Sequence, residues 1–248
     1  MAHVTGEAVT GEAVTGESAT VDAEGVKTRD VNRAIKQAIA DGASEIHVLN
    51  PAGRHSFAVA LKAEDVKVVF EGPVGWYTAG MNFGPQVVVQ GNCGWAIGEC
   101  MMDGRIEVLG HAGSGTAASI RGGLVYVQGD TGARAGIAMK GGTLVVGGDA
   151  GYMTGFMMQE GRIVICGDAA DGIGDSMYEG TIYVGGSVAS RGADAEVEEM
   201  TGEDAVYLKG VLDPFGIDAG SLDFTKIRSG RKLWNFSTKE PELWTSAL

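Results

Sequence analysis

Three aspartates within a short stretch, Asp168, Asp171 and Asp175, are the side chains whose types and spacing come closest to a reactive site. Paired carboxylates can act as general acid and base on a sugar, and carboxylate oxygens also bind Ca²⁺. Their spacing does not match an EF-hand loop. A solvated turn is therefore the favoured interpretation, with a sugar-processing or calcium site as the alternative.

Other candidates for chemistry lack a partner residue. The stretch 110–116, Gly-His-Ala-Gly-Ser-Gly-Thr, is similar to a phosphate-binding loop but has no lysine and precedes no helical pattern. The four histidines have no metal-ligand spacing, and the three cysteines contain no CxxC pair. We therefore expect no catalytic, cofactor-binding or metal-binding residue on this chain.

A glycine that recurs at a fixed 19-residue interval organises the middle of the chain, and we call it the anchor glycine. The anchor glycines are Gly72, Gly91, Gly110, Gly129, Gly148, Gly167 and Gly186. A second glycine follows three residues later in the first five copies, whereas Ala170 and Ala189 stand there in the last two. Branched apolar or aromatic residues occupy the positions four and two before each anchor, a spacing that predicts a strand with one buried face.

A repeat this short cannot bury its apolar side alone, but stacked copies form a continuous core. The sequence therefore predicts an all-β solenoid, a parallel β-helix of about seven 19-residue coils over residues 66–195. Glycine is expected at the corners because close backbone approach and positive φ both exclude a Cβ.

The flanks of the repeat differ from it in pattern. Residues 1–25, which begin with a repeated pentapeptide, are predicted to be a disordered tail. Residues 26–65 are predicted to form a small α+β cap, with a helix from Arg29 and strands at 45–49 and 56–61. Residues 196–248 are predicted to be an irregular docking arm, because aromatic and basic residues alternate there. The docking candidates are Arg228, Arg231, Lys232, Trp234, Phe236 and Trp244. The alternative is a tail folded back over the last coil.

The charge of the chain limits its partners. A formal net charge of −13 and a pI of about 4.7 disfavour nucleic acid, which requires a basic surface. The sequence contains no apolar run of membrane-spanning length and does not open with a signal-peptide pattern. A cytoplasmic protein without membrane partners is expected.

Three phrases of the repeat resemble the GXGXG-repeat family, which includes the C-terminal domain of glutamate synthase. They are Gly-Asn-Cys-Gly-Trp-Ala-Ile-Gly-Glu (91–99), Gly-Asp-Thr-Gly-Ala-Arg-Ala-Gly-Ile (129–137) and Gly-Asp-Ala-Gly-Tyr-Met-Thr-Gly-Phe-Met (148–157). The stretches 29–32, 50–55 and 230–236 are most similar to stand-alone subunits of this family. The resemblance implies a right-handed β-helix that carries no catalytic residue.

The resemblance also implies two partner chains. One is a class II glutamine amidotransferase-like subunit, and the other is an FMN-binding glutamate synthase-like barrel subunit. FMN, with an iron–sulfur cluster as a second candidate, is expected on a partner chain. The implied reaction belongs to methylamine metabolism and converts methylamine and glutamate to N-methylglutamate and ammonia.

Two other functions stay open at the level of sequence. One is the GXGXG-repeat subunit of a formylmethanofuran dehydrogenase or formyltransferase–hydrolase complex, which has the same scaffold type. The other is a stand-alone β-helix polysaccharide lyase or hydrolase in which Asp168, Asp171 and Asp175 act on a sugar. The three aspartates would then have to meet in one cleft.

Overall fold

A computed structural model describes residues 17–230, and within them the chain is a parallel β-solenoid of about seven turns. Within this range the sheet has eleven strands, and the first nine are parallel: β1 Glu17–Asp22, β2 Ala43–Leu49, β3 Lys67–Glu71, β4 Phe83–Val89, β5 Asp103–Val108, β6 Leu124–Val127, β7 Lys140–Val146, β8 Glu160–Ile165 and β9 Thr181–Val184. Helix α1 (Thr28–Ala40) lies between β1 and β2. After β9 come β10 (Ala195–Glu198), α2 (Gly202–Leu212), two 3-10 turns (Asp213–Phe215, Ala219–Ser221) and β11 (Thr225–Ser229).

The strand register follows the glycine period and confirms the predicted solenoid. Val87 pairs with Ile106 and Ile106 pairs with Val125, so each step along the sheet equals one repeat of the sequence. A second column of parallel bridges runs through the residues two places after the anchors, from Val74 to Val188. Each coil is therefore held to its neighbours on two sides.

The interior of the column contains the side chains that the apolar spacing identified. Those four and two residues before every anchor glycine are 0% exposed, from Val68 and Phe70 to Ile182 and Val184. Ten residues after the anchor, Met101, Ile120, Met139, Met158 and Met177 fill the other side of the core. Flexible methionine side chains suit this position because they adapt to an irregular gap.

The second glycine of each repeat is required by close approach of the coils. A Cβ on Gly132 would lie 2.6 Å from the Ser114 nitrogen and 2.9 Å from the Gly113 carbonyl carbon. Positive φ is not the reason here, because Gly132 has an ordinary backbone conformation. Positive φ instead recurs later in each coil, as at Tyr77, Ala79 and Met81. The expectation of a close approach is confirmed, and the expectation of positive φ at this glycine is wrong.

The column begins earlier than the glycine pattern indicates. Ile46 of β2 pairs with Val68, and the two residues are separated by three residues more than one repeat. The 19-residue glycine interval therefore does not identify this first coil. The predicted strand at 56–61 is wrong, since these residues form a turn that buries Phe57 and Leu61. Helix α1 is confirmed, and it places Val31 and Ile35 in the same core.

Residues 17–22 correct the predicted boundary of the disordered tail. They form β1, which pairs in parallel with β2, and Val21 is 6% exposed. The neighbouring strand supplies hydrogen-bond partners for the backbone, so few apolar side chains are needed here. Residues 1–16 of the predicted tail lie outside the described part of the chain.

Residues 196–230 are not irregular. Strand β11 pairs antiparallel with β9, and β10 pairs antiparallel with β11. Helix α2 and the two 3-10 turns pack on the outer face of β6–β9, where Tyr126, Val145, Val164 and Tyr183 are buried. This part of the chain is folded over the last coils, as the alternative interpretation stated.

We expect Gly132→Val to lower the free energy of unfolding by about 2 to 4 kcal/mol, because the added side chain overlaps the backbone of the preceding coil. Urea unfolding followed by circular dichroism measures the loss. Gly210→Val is the control, because a Cβ at Gly210 meets nothing within 4 Å and its φ is not positive. Equal stability of the two variants would contradict the close approach.

Candidate docking surfaces

The three aspartates of the sixth coil are each bonded to a different part of the polypeptide. The carboxylate of Asp168 accepts a hydrogen bond from the Ser187 amide, and that of Asp171 accepts one from the Ser190 hydroxyl. Asp175 accepts hydrogen bonds from the hydroxyl of Ser176 and the amide of Ala193. Each carboxylate is thus engaged in a hydrogen bond within its coil or with the next one.

Asp168 belongs to a ladder of side chains that runs along the column at the residue after each anchor glycine. Asp130 accepts a hydrogen bond from the Asp149 amide at 2.9 Å, and Asp149 accepts one from the Asp168 amide at 2.8 Å. In the coils before these, Asn92 and His111 accept in the same way. Hydrogen bonds with Ser187 lower the pKa of Asp168.

This ladder explains the five anchor glycines from Gly110 to Gly186, whereas Gly72 and Gly91 have a positive φ of 137° and 152°. A Cβ on Gly129 would lie 2.7 Å from the His111 Nδ1 atom, which accepts the Asp130 amide. The anchor position must lack a side chain so that the acceptor of the preceding coil can reach the next amide. The stretch 110–116 is therefore part of the stacking, as its glycines suggested, and its histidine accepts a hydrogen bond.

The cysteines are free thiols in the structure. Cys93 lies inside the column, where burial raises its pKa to about 12, and burial raises the pKa of Cys166 to about 11. Both remain protonated at neutral pH and are poor nucleophiles. Among residues 17–230, no group of three histidine, cysteine, aspartate or glutamate side chains is placed to hold a metal ion.

Only one of the predicted docking residues lies in the described part of the chain. Arg228 is in β11, about half exposed, with its guanidinium 3.7 Å from the Glu198 carboxylate. Arg231, Lys232, Trp234, Phe236 and Trp244 lie outside the described residues. Docking by these six residues stays a prediction.

A buried polar network fastens helix α2 to the sheet. The Asp204 carboxylate accepts hydrogen bonds from the Tyr183 hydroxyl at 2.7 Å and from Lys226 Nζ at 3.0 Å. It also accepts bonds from the Thr201 amide and hydroxyl. Burial opposes ionisation of Asp204, but these hydrogen bonds outweigh it and hold its pKa well below the ordinary value.

Most of the exposed large apolar residues lie on the turns. We call this surface the turn face, and it comprises the outward-facing residues from four to eleven places after each anchor glycine. Of the twelve exposed large apolar residues among residues 17–230, seven lie on it: Trp76, Met81, Phe83, Trp95, Met102, Tyr152 and Met157. Contiguous exposed apolar residues mark interaction sites in soluble proteins.

Stacked rings run along one edge of the turn face. His55 stacks on Trp76 at a centroid distance of 4.7 Å, and Trp76 stacks on Trp95 at 5.3 Å. Trp95 is nevertheless 57% exposed. This surface was not predicted from the sequence, although tryptophan recurs at the fourth residue after two successive anchors, and large apolar residues at the eleventh.

No protein-family model matches the chain, and no curated protein is significantly similar to it. No helix among residues 17–230 is both long enough and apolar enough to cross a membrane.

The Asp204 network predicts that the packing of helix α2 on the sheet is sensitive to acid. Because the folded pKa of Asp204 is below its ordinary value of about 3.9, its contribution to stability is present above that pH and is lost as the pH falls further. We expect Asp204→Asn to lower the unfolding free energy at pH 7 by about 1 to 3 kcal/mol, because the charged hydrogen bonds are lost.

Acid titration of both proteins, with urea unfolding at each pH, provides the measurement. The stability difference should shrink between about pH 5 and pH 2, because over this range the carboxylate takes up a proton in the unfolded chain but not in the folded one. A difference that stays constant over this range would show that Asp204 is not held ionised.

Proposed function

We propose that this chain is a non-catalytic structural subunit of a glutamate synthase-like complex. The observation that carries the proposal is the contrast between its interior and its surface. The candidate polar residues hold successive coils together, whereas the turn face exposes apolar residues over several coils. A rigid column with a broad apolar face is suited to holding partner chains in fixed register.

The resemblance of the repeat phrases to the GXGXG family supports the kind of complex. The nearest resemblance is to the GXGXG subunit of methylamine–glutamate N-methyltransferase, also called N-methylglutamate synthase. On this proposal, a class II glutamine amidotransferase-like chain and an FMN-binding barrel chain assemble on the column in the cytoplasm. FMN and the chemistry of amine exchange on glutamate belong to those partners.

The dimensions of the column support a spacer role. Nine parallel strands at a spacing of about 4.8 Å extend over about 38 Å, comparable to the diameter of a small domain. The hydrogen bonds along both sides of each coil resist bending, so chains bound at different coils would keep a fixed separation.

Purification of the tagged chain from its native cell tests the proposal. We expect an FMN-containing barrel chain and an amidotransferase-like chain to co-elute with it. Co-elution with a metal-dependent hydrolase and a formyltransferase would instead support the formylmethanofuran alternative. Recovery without any flavin-containing chain would contradict the proposal.

The stand-alone sugar-processing alternative has its own test. On the proposed function, the isolated chain has no lyase or hydrolase activity on acidic or neutral polysaccharides, and Asp171→Asn changes nothing. Activity that is abolished by Asp171→Asn would establish the alternative, since loss of one surface hydrogen bond to Ser190 would not have that effect.

A further inference from the structure

The geometry points to the turn face of the first five coils as the docking site for a protein surface that is apolar and carries a cluster of carboxylates. This inference rests on the proposed function and specifies the chemistry of the partner. The net charge of this face is opposite in sign to that of the whole chain.

The turn face of coils one to five is positively charged in an acidic protein. It contains three cationic side chains, Arg121, Arg134 and Lys140, and one carboxylate, Glu99, which give a net charge of +2, while Asp103 and Glu160 lie one residue beyond its edge. The whole chain has a net charge of −13. Oriented charge of this kind steers an acidic partner to one face.

The three cations make no ion pair within the described residues. None of the salt bridges among residues 17–230 includes Arg121, Arg134 or Lys140, and their side chains make no hydrogen bond there. Several cations elsewhere are paired, such as Lys67 with Glu45, Arg105 with Glu107 and Lys226 with Asp204. The turn-face cations are thus available to carboxylates of another chain.

Arg121 and Lys140 also lie at the same position of successive coils. Both are eleven residues after an anchor glycine, and the Lys140 amide donates to the Ile120 carbonyl, next to Arg121. Like charges placed side by side on adjacent strands are destabilising. Glu160 is the register partner of Lys140 on the next strand but forms no ion pair with it, so a partner's carboxylate between Arg121 and Lys140 would relieve this repulsion.

The apolar residues continue on both sides of the cations. Trp95 and Met102 lie in the coil before them, and Tyr152 and Met157 lie in the coil after them. Arg134 extends towards the second group, because its guanidinium lies 6.0 Å from the ring centroid of Phe156, the neighbour of Met157. Protein interfaces are enriched in this composition of tryptophan, tyrosine, methionine and arginine, whereas lysine, glutamate and aspartate are depleted there.

Other occupants fit this surface less well. Three cations are few for nucleic acid, which the remaining acidic surface would repel. In an antiparallel pair of columns, a second copy would offer its acidic sixth coil, with Asp171 and Asp175, to the cations of the third and fourth coils. The first and second coils, with Trp76 and Trp95, would then extend past the seventh coil of the second copy and contact none of its repeats.

The test measures binding of the full chain to the separately purified amidotransferase-like chain and FMN barrel chain, by biolayer interferometry in 0.1 and 0.5 M NaCl. We expect Arg134→Glu to weaken binding to one of them at least tenfold in 0.1 M NaCl and less in 0.5 M, because salt screens the charge. Met102→Ser should weaken binding at least fivefold at both salt concentrations.

Two control variants distinguish the turn face from a general effect. Lys36→Glu makes the same change in net charge on the exposed side of α1, and Val206→Ser removes an exposed apolar side chain from α2. Both should leave the dissociation constant within twofold of wild type. Binding that is unaffected by the turn-face variants, or reduced equally by the controls, would overturn the inference while leaving the proposed function in place.

Failure of both purified chains to bind the wild type would contradict the proposed function. The turn face is then tested by placing benzoylphenylalanine at position 102 and photocrosslinking in the native cell. A crosslinked protein, once identified and purified, should bind at least tenfold more weakly to Arg134→Glu than to Lys36→Glu. Crosslinks to a second copy alone, to nucleic acid or to nothing would overturn the inference.

Discussion

The structure depends on hydrogen bonds between equivalent positions of successive coils. The Ala112 amide donates to the Asp130 carbonyl at 2.9 Å, and the Gly132 amide donates to the Ala112 carbonyl at 2.9 Å. Because the same bonds recur from coil to coil, the register of each coil is set by that of its neighbours. The ladder of Asn92, His111, Asp130, Asp149 and Asp168 adds a side-chain acceptor to the same register.

This stacking determines which surfaces remain for other molecules. The core is closed at its first end by α1, and the outer face of β6–β9 is covered by α2 and the turns that follow it. The turn face of coils one to five has no such cover within residues 17–230. The apolar and cationic side chains exposed there are therefore the principal feature that the scaffold itself does not account for.

The sequence was sufficient to predict the solenoid because period-two apolar spacing and the glycine interval both follow from stacking. It predicted the strand at 45–49, which is β2, but placed it in a cap rather than in the column, because the first coil is longer than the repeat. It did not predict β1, which contains few apolar residues beyond Val21. The packing of α2 over β6–β9 has a signal in the sequence of those strands. Strands β6–β9 read Leu-Val-Tyr-Val, Thr-Leu-Val-Val, Arg-Ile-Val-Ile and Thr-Ile-Tyr-Val, and strands apolar on both faces require cover on both.

The candidate site was harder to predict for a physical reason. Aspartate and histidine next to a glycine are residue types that often bind ligands. Only the structure shows that their acceptor atoms receive hydrogen bonds from amides of the next coil. The turn face also depends on three dimensions, since the stack brings Trp95, Arg134 and Met157 of different coils to one side of the column. The residue types of Trp95 and Met157 alone are compatible with a buried core.

A scaffold whose turn face is covered in the assembly should protect that face from solvent. Hydroxyl-radical footprinting of the complex against the isolated chain, read by mass spectrometry, measures this protection directly. We expect oxidation of Trp95, Met102 and Met157 to fall several-fold in the complex, while that of the exposed Met200 beside α2 is unchanged. Protection of Met200 with unchanged oxidation of the turn face would contradict the scaffold role assigned to this surface.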